Sequence, residues 1–173
     1  MAANLLAEPG RDTLEPANRS MADRLPWGFA RSKSMNLADT GFGYEIRQDF
    51  PVSRERLYRA LTDAASLKRI WGVQQISVDA RVGGTTHAVY IADGQDWSFT
   101  LTYTEVLPNQ SLKWTTRFKS FPTKATRVAI GLSDADGGAE LTIQMSNFES
   151  AEERDANRRA WEHGLSVLAD VVR

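Results

Sequence analysis

The stretch Ser150-Ala-Glu-Glu-Arg-Asp-Ala-Asn-Arg-Arg-Ala-Trp-Glu-His-Gly-Leu-Ser-Val-Leu-Ala-Asp-Val-Val-Arg173 decides the fold. Its apolar positions are Ala160, Trp161, Gly164, Leu165, Leu168, Ala169 and Val172. They recur at i, i+3, i+4, i+7 and i+8, the period of an amphipathic helix. Glu153, Arg154, Asp155, Arg158, Arg159, Glu162 and Asp170 form the opposite face, which is expected in water. Ser150 precedes Glu152 and Glu153, so a hydroxyl caps free amides and the carboxylates meet the positive end of the helix dipole. From Ser150 the helix runs about 22 residues, roughly 33 Å at 1.5 Å per residue. A rod that long and one-sided cannot bury its stripe alone.

The residues before it supply the missing surface. Working back, Leu141, Ile143 and Met145 alternate with polar neighbours, as do Val128, Ile130 and Leu132 within Thr126 to Leu132. Leu112, Trp114, Thr116 and Phe118 alternate against Lys113, Thr115, Arg117 and Lys119. Trp97, Phe99, Leu101 and Tyr103 alternate against Ser98, Thr100, Thr102 and Thr104, the clearest strand of the chain. Thr85 to Ile91 and Gln74 to Val78 are further strands. The breaks between them carry turn chemistry: Val82-Gly83-Gly84-Thr85, Asp93-Gly94, Leu107-Pro108-Asn109-Gln110, a loop with Phe121-Pro122, and Asp136-Gly137-Gly138. One apolar and one polar face throughout predicts an antiparallel sheet with one wet side.

Two short helices come earlier. Ser53 caps one carrying Leu57, Tyr58, Ala60 and Leu61; Asp63 caps another through Leu67, Ile70 and Trp71, closed by Gly72. Before them Tyr44, Ile46 and Phe50 alternate with Glu45, Arg47 and Asp49, a first strand ended by Pro51. The fold class is therefore α+β: a curved antiparallel sheet of about six to seven strands wrapped on a long C-terminal helix, with two short helices after the first strand. Residues 1–41 hold Pro9, Pro16 and Pro26 and no sustained period, and read as a disordered or loosely ordered extension ahead of a domain at 42–173. Met21 and Met35 stand as alternative starts. Leu25-Pro26-Trp27-Gly28-Phe29 is an apolar island, either a loosely docked tail or a partner motif.

Bulk numbers narrow the function. The chain has 173 residues, 42% hydrophobic and 25% charged, with 21 Lys plus Arg against 22 Asp plus Glu. A single domain of about 150 residues buries roughly 70% of its unfolded surface, enough to spare a cavity. A net charge of −1 without like-charge blocks points to neither nucleic acid nor a membrane surface as partner. No apolar run approaches the ~20 residues of a membrane span, and no secretory signal pattern is read, so a cytoplasmic location is expected. With no cysteine, disulfides and thiol chemistry are excluded.

The order of these elements, with Pro51, Ser53 and Leu57-Tyr58-Arg59-Ala60-Leu61-Thr62-Asp63, then Leu67-Lys68-Arg69-Ile70-Trp71-Gly72, Val82-Gly83-Gly84-Thr85, Val106-Leu107-Pro108-Asn109-Gln110-Ser111-Leu112, and Trp161, Gly164 and Leu165, resembles a known family. It is the START-like, or SRPBCC, superfamily with its helix-grip fold. Within it the match is to the branch named for activators of the ATPase of the ninety-kilodalton heat-shock chaperone. The resemblance covers Tyr44 to Arg173. Ala160 stands where the family often has Gly, and Ile70-Trp71 where paired aromatics are common. It implies a helix-grip domain, with apolar ligands held between sheet and final helix. It also implies a chaperone or other protein as an alternative partner.

Two histidines on separate elements and no cysteine do not point to a metal site of three or four ligands, so no metal and no cofactor are expected. No nucleophile turn and no phosphate loop is present, so no catalytic residue is assigned and an enzyme is the less favoured class. His163 is read as a boundary residue of the final helix. Asp93 and Asp96 are read as turn residues, and Glu105 as either the wet end of its strand or a fixture at a cavity mouth. The binding reading rests on inward aromatics. Trp71, Trp97, Phe99, Leu101, Tyr103, Trp114, Phe118, Trp161, Leu165 and Leu168 are the candidate ligand contacts, with His87 and Tyr103 as polar cavity groups. Plain core is the competing reading of the same row. Three functions stand: binding of an apolar small molecule, a lipid or aromatic metabolite; a protein-interaction module or chaperone cofactor; and a cyclase- or hydrolase-like enzyme. Gly72 and the Phe121-Pro122 loop are candidate gates.

Overall fold

The computed structural model describes residues 42–92, 94–119 and 121–173. The expected extension 1–41, with the Leu25–Phe29 island, and Asp93 of the expected hairpin turn lie outside the described residues. In chain order the elements are β1 (Phe42–Phe50), α1 (Arg54–Thr62), α2 (Ala64–Trp71), β2 (Gln75–Val78), β3 (Thr85–Ala92), β4 (Gln95–Leu107), β5 (Ser111–Phe118), β6 (Phe121–Ala135), β7 (Gly138–Phe148) and α3 (Ala151–Val171).

The seven strands form one antiparallel sheet in the order β1-β7-β6-β5-β4-β3-β2. From β2 to β7 the chain is a serial meander. Strand β1 sits at the opposite edge from β2, so the connection between them must cross the breadth of the sheet, and α1 and α2 make that crossing. Together with α3 they cover the apolar face, whose buried side chains join theirs in one core.

Each helix start and stop has a local cause. The Ser53 hydroxyl accepts from the Arg56 amide at 3.4 Å, and Asp63 accepts from the Ser66 amide at 2.8 Å. Gly72 ends α2 at φ 63°, which costs a glycine nothing. Its amide donates to the Arg69 carbonyl while Val73 donates to that of Lys68, the doubly bonded left-handed cap. At α3 the Ser150 hydroxyl accepts from the Glu153 amide at 3.2 Å, as its position before the acidic pair predicts.

Two expectations need correction. Glu153, expected on the wet face of α3, is buried, and its carboxylate accepts from the Glu149 amide at 2.9 Å. A carboxylate at the third helical position turns back over the open helix end, where free amides and the dipole favour it. Strand β6 begins at Phe121 rather than Thr126, extending through the expected Phe121-Pro122 loop; a proline is tolerated near a strand's start, where a missing donor matters least. The choice left open for Glu105 falls to the wet side. The β4–β5 register shifts between Tyr103 and Glu105, so Thr104 is an extra residue. That bulge turns Glu105 from the inward row to a place opposite Lys113 on the outer face. There it accepts from Ser111 Oγ at 2.6 Å and Lys113 Nζ at 3.0 Å, and these bonds hold its carboxyl below the usual range.

Candidate functional site

The alternation of β4, β5 and β6 sends one row of each strand under the helices. Phe99 and Leu101 come from β4, Trp114, Thr116 and Phe118 from β5, and Thr126 and Val128 from β6. Met145 of β7 completes the floor. Trp71, at the end of α2, and Asn157 and Trp161, on α3, form the roof. Between them lies a cleft, partly open to the surface, with a volume of about 30 Å³. A water needs about 10–15 Å³ on the same measure, so the space holds a water or two as it stands. α3 itself packs on α2, β1 and β7. Over the middle strands, side chains rather than backbone bridge the gap.

The walls are aromatic and in contact. Trp71 meets Phe99 edge-on at 5.8 Å, Phe99 lies 5.3 Å from Phe118, and Trp114 meets Tyr103 edge-on at 5.9 Å. Trp161 is 6% exposed, its indole turned into the fold. Two polar atoms on this wall have no hydrogen-bond partner: the Trp114 indole Nε1 and the Thr126 Oγ1, on residues 4% and 2% exposed. Thr116 pairs directly across from Thr126, and Trp114 from Val128, so Trp114 and Thr126 are diagonal neighbours on the inner face. Behind the wall, the Tyr44 hydroxyl donates to Asn157 Oδ1 at 2.7 Å and lies 3.0 Å from Met145 Sδ. Burial pushes the Tyr44 hydroxyl well above the ordinary tyrosine range, so it stays a proton donor.

Of the ten candidate contacts read from the sequence, the cleft brings together Trp71, Phe99, Leu101, Trp114, Phe118 and Trp161. Leu165 and Leu168 are buried deeper, in plain core. Tyr103 is buried behind Trp114, and its hydroxyl is engaged by Thr86 Oγ1 at 3.0 Å. Trp97 is half-buried opposite Tyr90 and outside the cleft wall. His87 is a correction. Thr86 and Ala88 take the inward places on β3, so His87 between them faces outward, where its Nδ1 lies 3.2 Å from Thr100 Oγ1. Thr116, Thr126, Val128, Met145 and Asn157 were missed as wall residues. The signal for the first four was their place in the inward rows; for Asn157 it was its position four residues before Trp161, one helical turn away. Gly72 is exposed beside Trp71, and the backbone of Phe121-Pro122 belongs to β6.

A second concavity, of about 450 Å³, lies on the outer face over Ala129. It exists because the flanking side chains lean away: Lys113 toward Glu105 at 3.0 Å, and Gln144 toward Glu45 at 2.7 Å. It is the larger space, but an open one bordered by groups already paired. Trp114 and Thr126, with their orphaned polar atoms, line the cleft. Among the described residues no cluster of three metal-binding side chains occurs, and no helix is long and apolar enough to cross a membrane.

Comparison with known proteins places these features in context. The family model described as activator of Hsp90 ATPase homolog 1-like protein matches residues 51–173. A crystal structure of a protein from Chromobacterium violaceum is 25% identical, with a TM-score of 0.69, over 75% of this chain and 96% of that one. A protein of Rhizobium leguminosarum is 16% identical, with a TM-score of 0.67, over 78% of this chain and 96% of that one. The solution structure of the Aha1 dimer from Colwellia psychrerythraea is 22% identical, with a TM-score of 0.60, over 76% of this chain and 96% of that one. No curated protein sequence matches.

Proposed function

The chain belongs to the activator of Hsp90 ATPase homolog 1-like family, and on the geometry of its cleft we propose that it binds a small, largely apolar molecule between sheet and final helix. The observation that carries this reading is the pair of orphaned atoms, Trp114 Nε1 and Thr126 Oγ1, in a mostly apolar wall. A buried polar group without a partner costs about 1–3 kcal/mol, so a wall that served packing alone would favour Phe and Val there. At about 30 Å³ the cleft is too narrow for such a molecule as it stands. A ligand is admitted when Trp161 or Trp71 swings aside, which the side-chain bridging over the middle strands permits without moving the sheet. Catalysis is not part of the proposal: among the described wall residues none is an acid, a base or an activated nucleophile.

A thermal-shift screen of lipids and aromatic metabolites tests the reading. A true ligand at a hundred times its Kd adds about 2.7 kcal/mol of stability. A screen that raises the melting temperature with no compound, together with retention of the narrow cleft in solution, refutes it.

A second reading, cofactor of a chaperone, is favoured by the family's description. Its test is the ATP turnover of Hsp90 with and without the chain; unchanged turnover at saturating chain rules it out.

A further inference from the structure

The cleft wall specifies more than an apolar guest. Among the described residues that line it, none carries a charge. A carboxylate or ammonium placed there would lose its water without gaining a counter-ion, which strongly disfavours charged ligands. The rings of Trp71, Phe99, Phe118 and Trp161 present flat, polarisable faces and edges, suited to another ring rather than to a flexible chain. The Trp114 indole N–H is a donor with no acceptor capacity, and the Thr126 hydroxyl can donate as well. Both lack a partner. They belong to diagonal neighbours on adjacent strands, whose positions are roughly 7–8 Å apart, so one oxygen lying over that diagonal can accept from both.

Resting on the reading of the cleft as a small-molecule site, we infer that its ligand is a neutral, planar aromatic compound bearing a carbonyl-type acceptor, held by Trp114 Nε1 and Thr126 Oγ1. Fatty acids and aromatic carboxylates are excluded. Both atoms are sealed from water as the cleft stands; the ligand's carbonyl oxygen reaches them as its ring displaces the Trp161 indole.

Four probes test the inference on the full chain at neutral pH: 2-acetylnaphthalene, 2-ethylnaphthalene, 2-naphthoate and dodecanoate. Affinity is measured by calorimetry, and the indole N–H resonance of Trp114 is followed in 15N-labelled protein. The expected result is tightest binding of 2-acetylnaphthalene, about tenfold tighter than 2-ethylnaphthalene, with the Trp114 N–H signal displaced by the ketone. Thr126→Val, close in shape, should lose much of that tenfold, narrowing the ratio of ketone to hydrocarbon affinity. Trp114→Phe should do the same, and identifies the resonance. If either anion binds as tightly as the ketone, or the ketone no better than the hydrocarbon, the inferred ligand class is wrong while the cleft remains a binding site. If no probe binds and no wall resonance moves, the binding reading itself falls, and the inference with it.

Discussion

Replacing Trp161 by alanine removes the largest side chain that α3 inserts between helix and sheet. The residue is 6% exposed, so nearly all of its surface is lost to water on folding. A tryptophan buries about 200 Å², worth about 5 kcal/mol at 25 cal/mol per Å². The unfolded chain already hides part of that area, a discount of roughly 10–40%. About 3–4.5 kcal/mol remains, within the ~3–5 kcal/mol seen for large aromatic-to-alanine changes in cores. The variant's midpoint in urea should fall by roughly 2 M, for a slope of about 1–3 kcal/mol per M that does not change. The vacated space joins the existing cleft of about 30 Å³, making a cavity of the order that accepts benzene, ~150 Å³. Added indole should therefore restore stability, by about 1.4 kcal/mol at ten times its Kd. A midpoint shift below about 0.5 M at unchanged slope, or no rescue by indole, would mean that the indole does not fill the space beneath α3.

Three further outcomes are expected. Gly164→Ala should stabilise the protein by about 0.5–1 kcal/mol in urea unfolding, because an added Cβ would meet Ile70 O at 3.5 Å and Ile70 Cγ2 at 3.6 Å, ordinary contact; a loss would show that the α2–α3 contact is tighter than this. Tyr44→Phe removes the donor to Asn157 Oδ1 and should cost about 1–2 kcal/mol by the same measurement, with no cost if the bond does not form in solution. The Asp63 carboxyl is held below its ordinary range by hydrogen bonds from Ser66, so its capping contribution is complete above the unfolded-state value near 4 and is lost as pH falls through the lowered folded-state value. Asp63→Asn should flatten that part of the acid limb of a stability–pH profile, and an unchanged limb would contradict the assigned cap.

Much of the architecture was legible before any coordinates. Period-two alternation identified the strands, because one face of each is packed and the other wet, and Ser53, Asp63, Gly72 and Ser150 marked helix limits through local bonds that need no distant partner. The wall was legible in part. Trp71, Phe99, Trp114, Phe118 and Trp161 were found because large apolar residues on an inward row have few other places to go. Thr126, Thr116 and Asn157 were not, since a polar residue on an inward position is ordinarily discounted. Asn157 lies in register with Trp161 on α3, yet only the passage of that helix beside Tyr44 makes its burial tolerable. Thr104 is another such case, because a bulge depends on how β4 lies against β5.

The sequence by itself determined the element order, the antiparallel sheet and the tryptophan under the last helix, because these follow from local period and from the chain's own caps and turns. Tertiary structure alone decided that Leu165, Leu168 and Tyr103 are core rather than wall, that His87 faces outward, and that the cleft is narrowed to about 30 Å³ with two polar atoms left unpartnered on its wall. Those outcomes depend on the spacing between helix and sheet and on which side chains meet across it, quantities that arise only when residues distant in the chain are packed together.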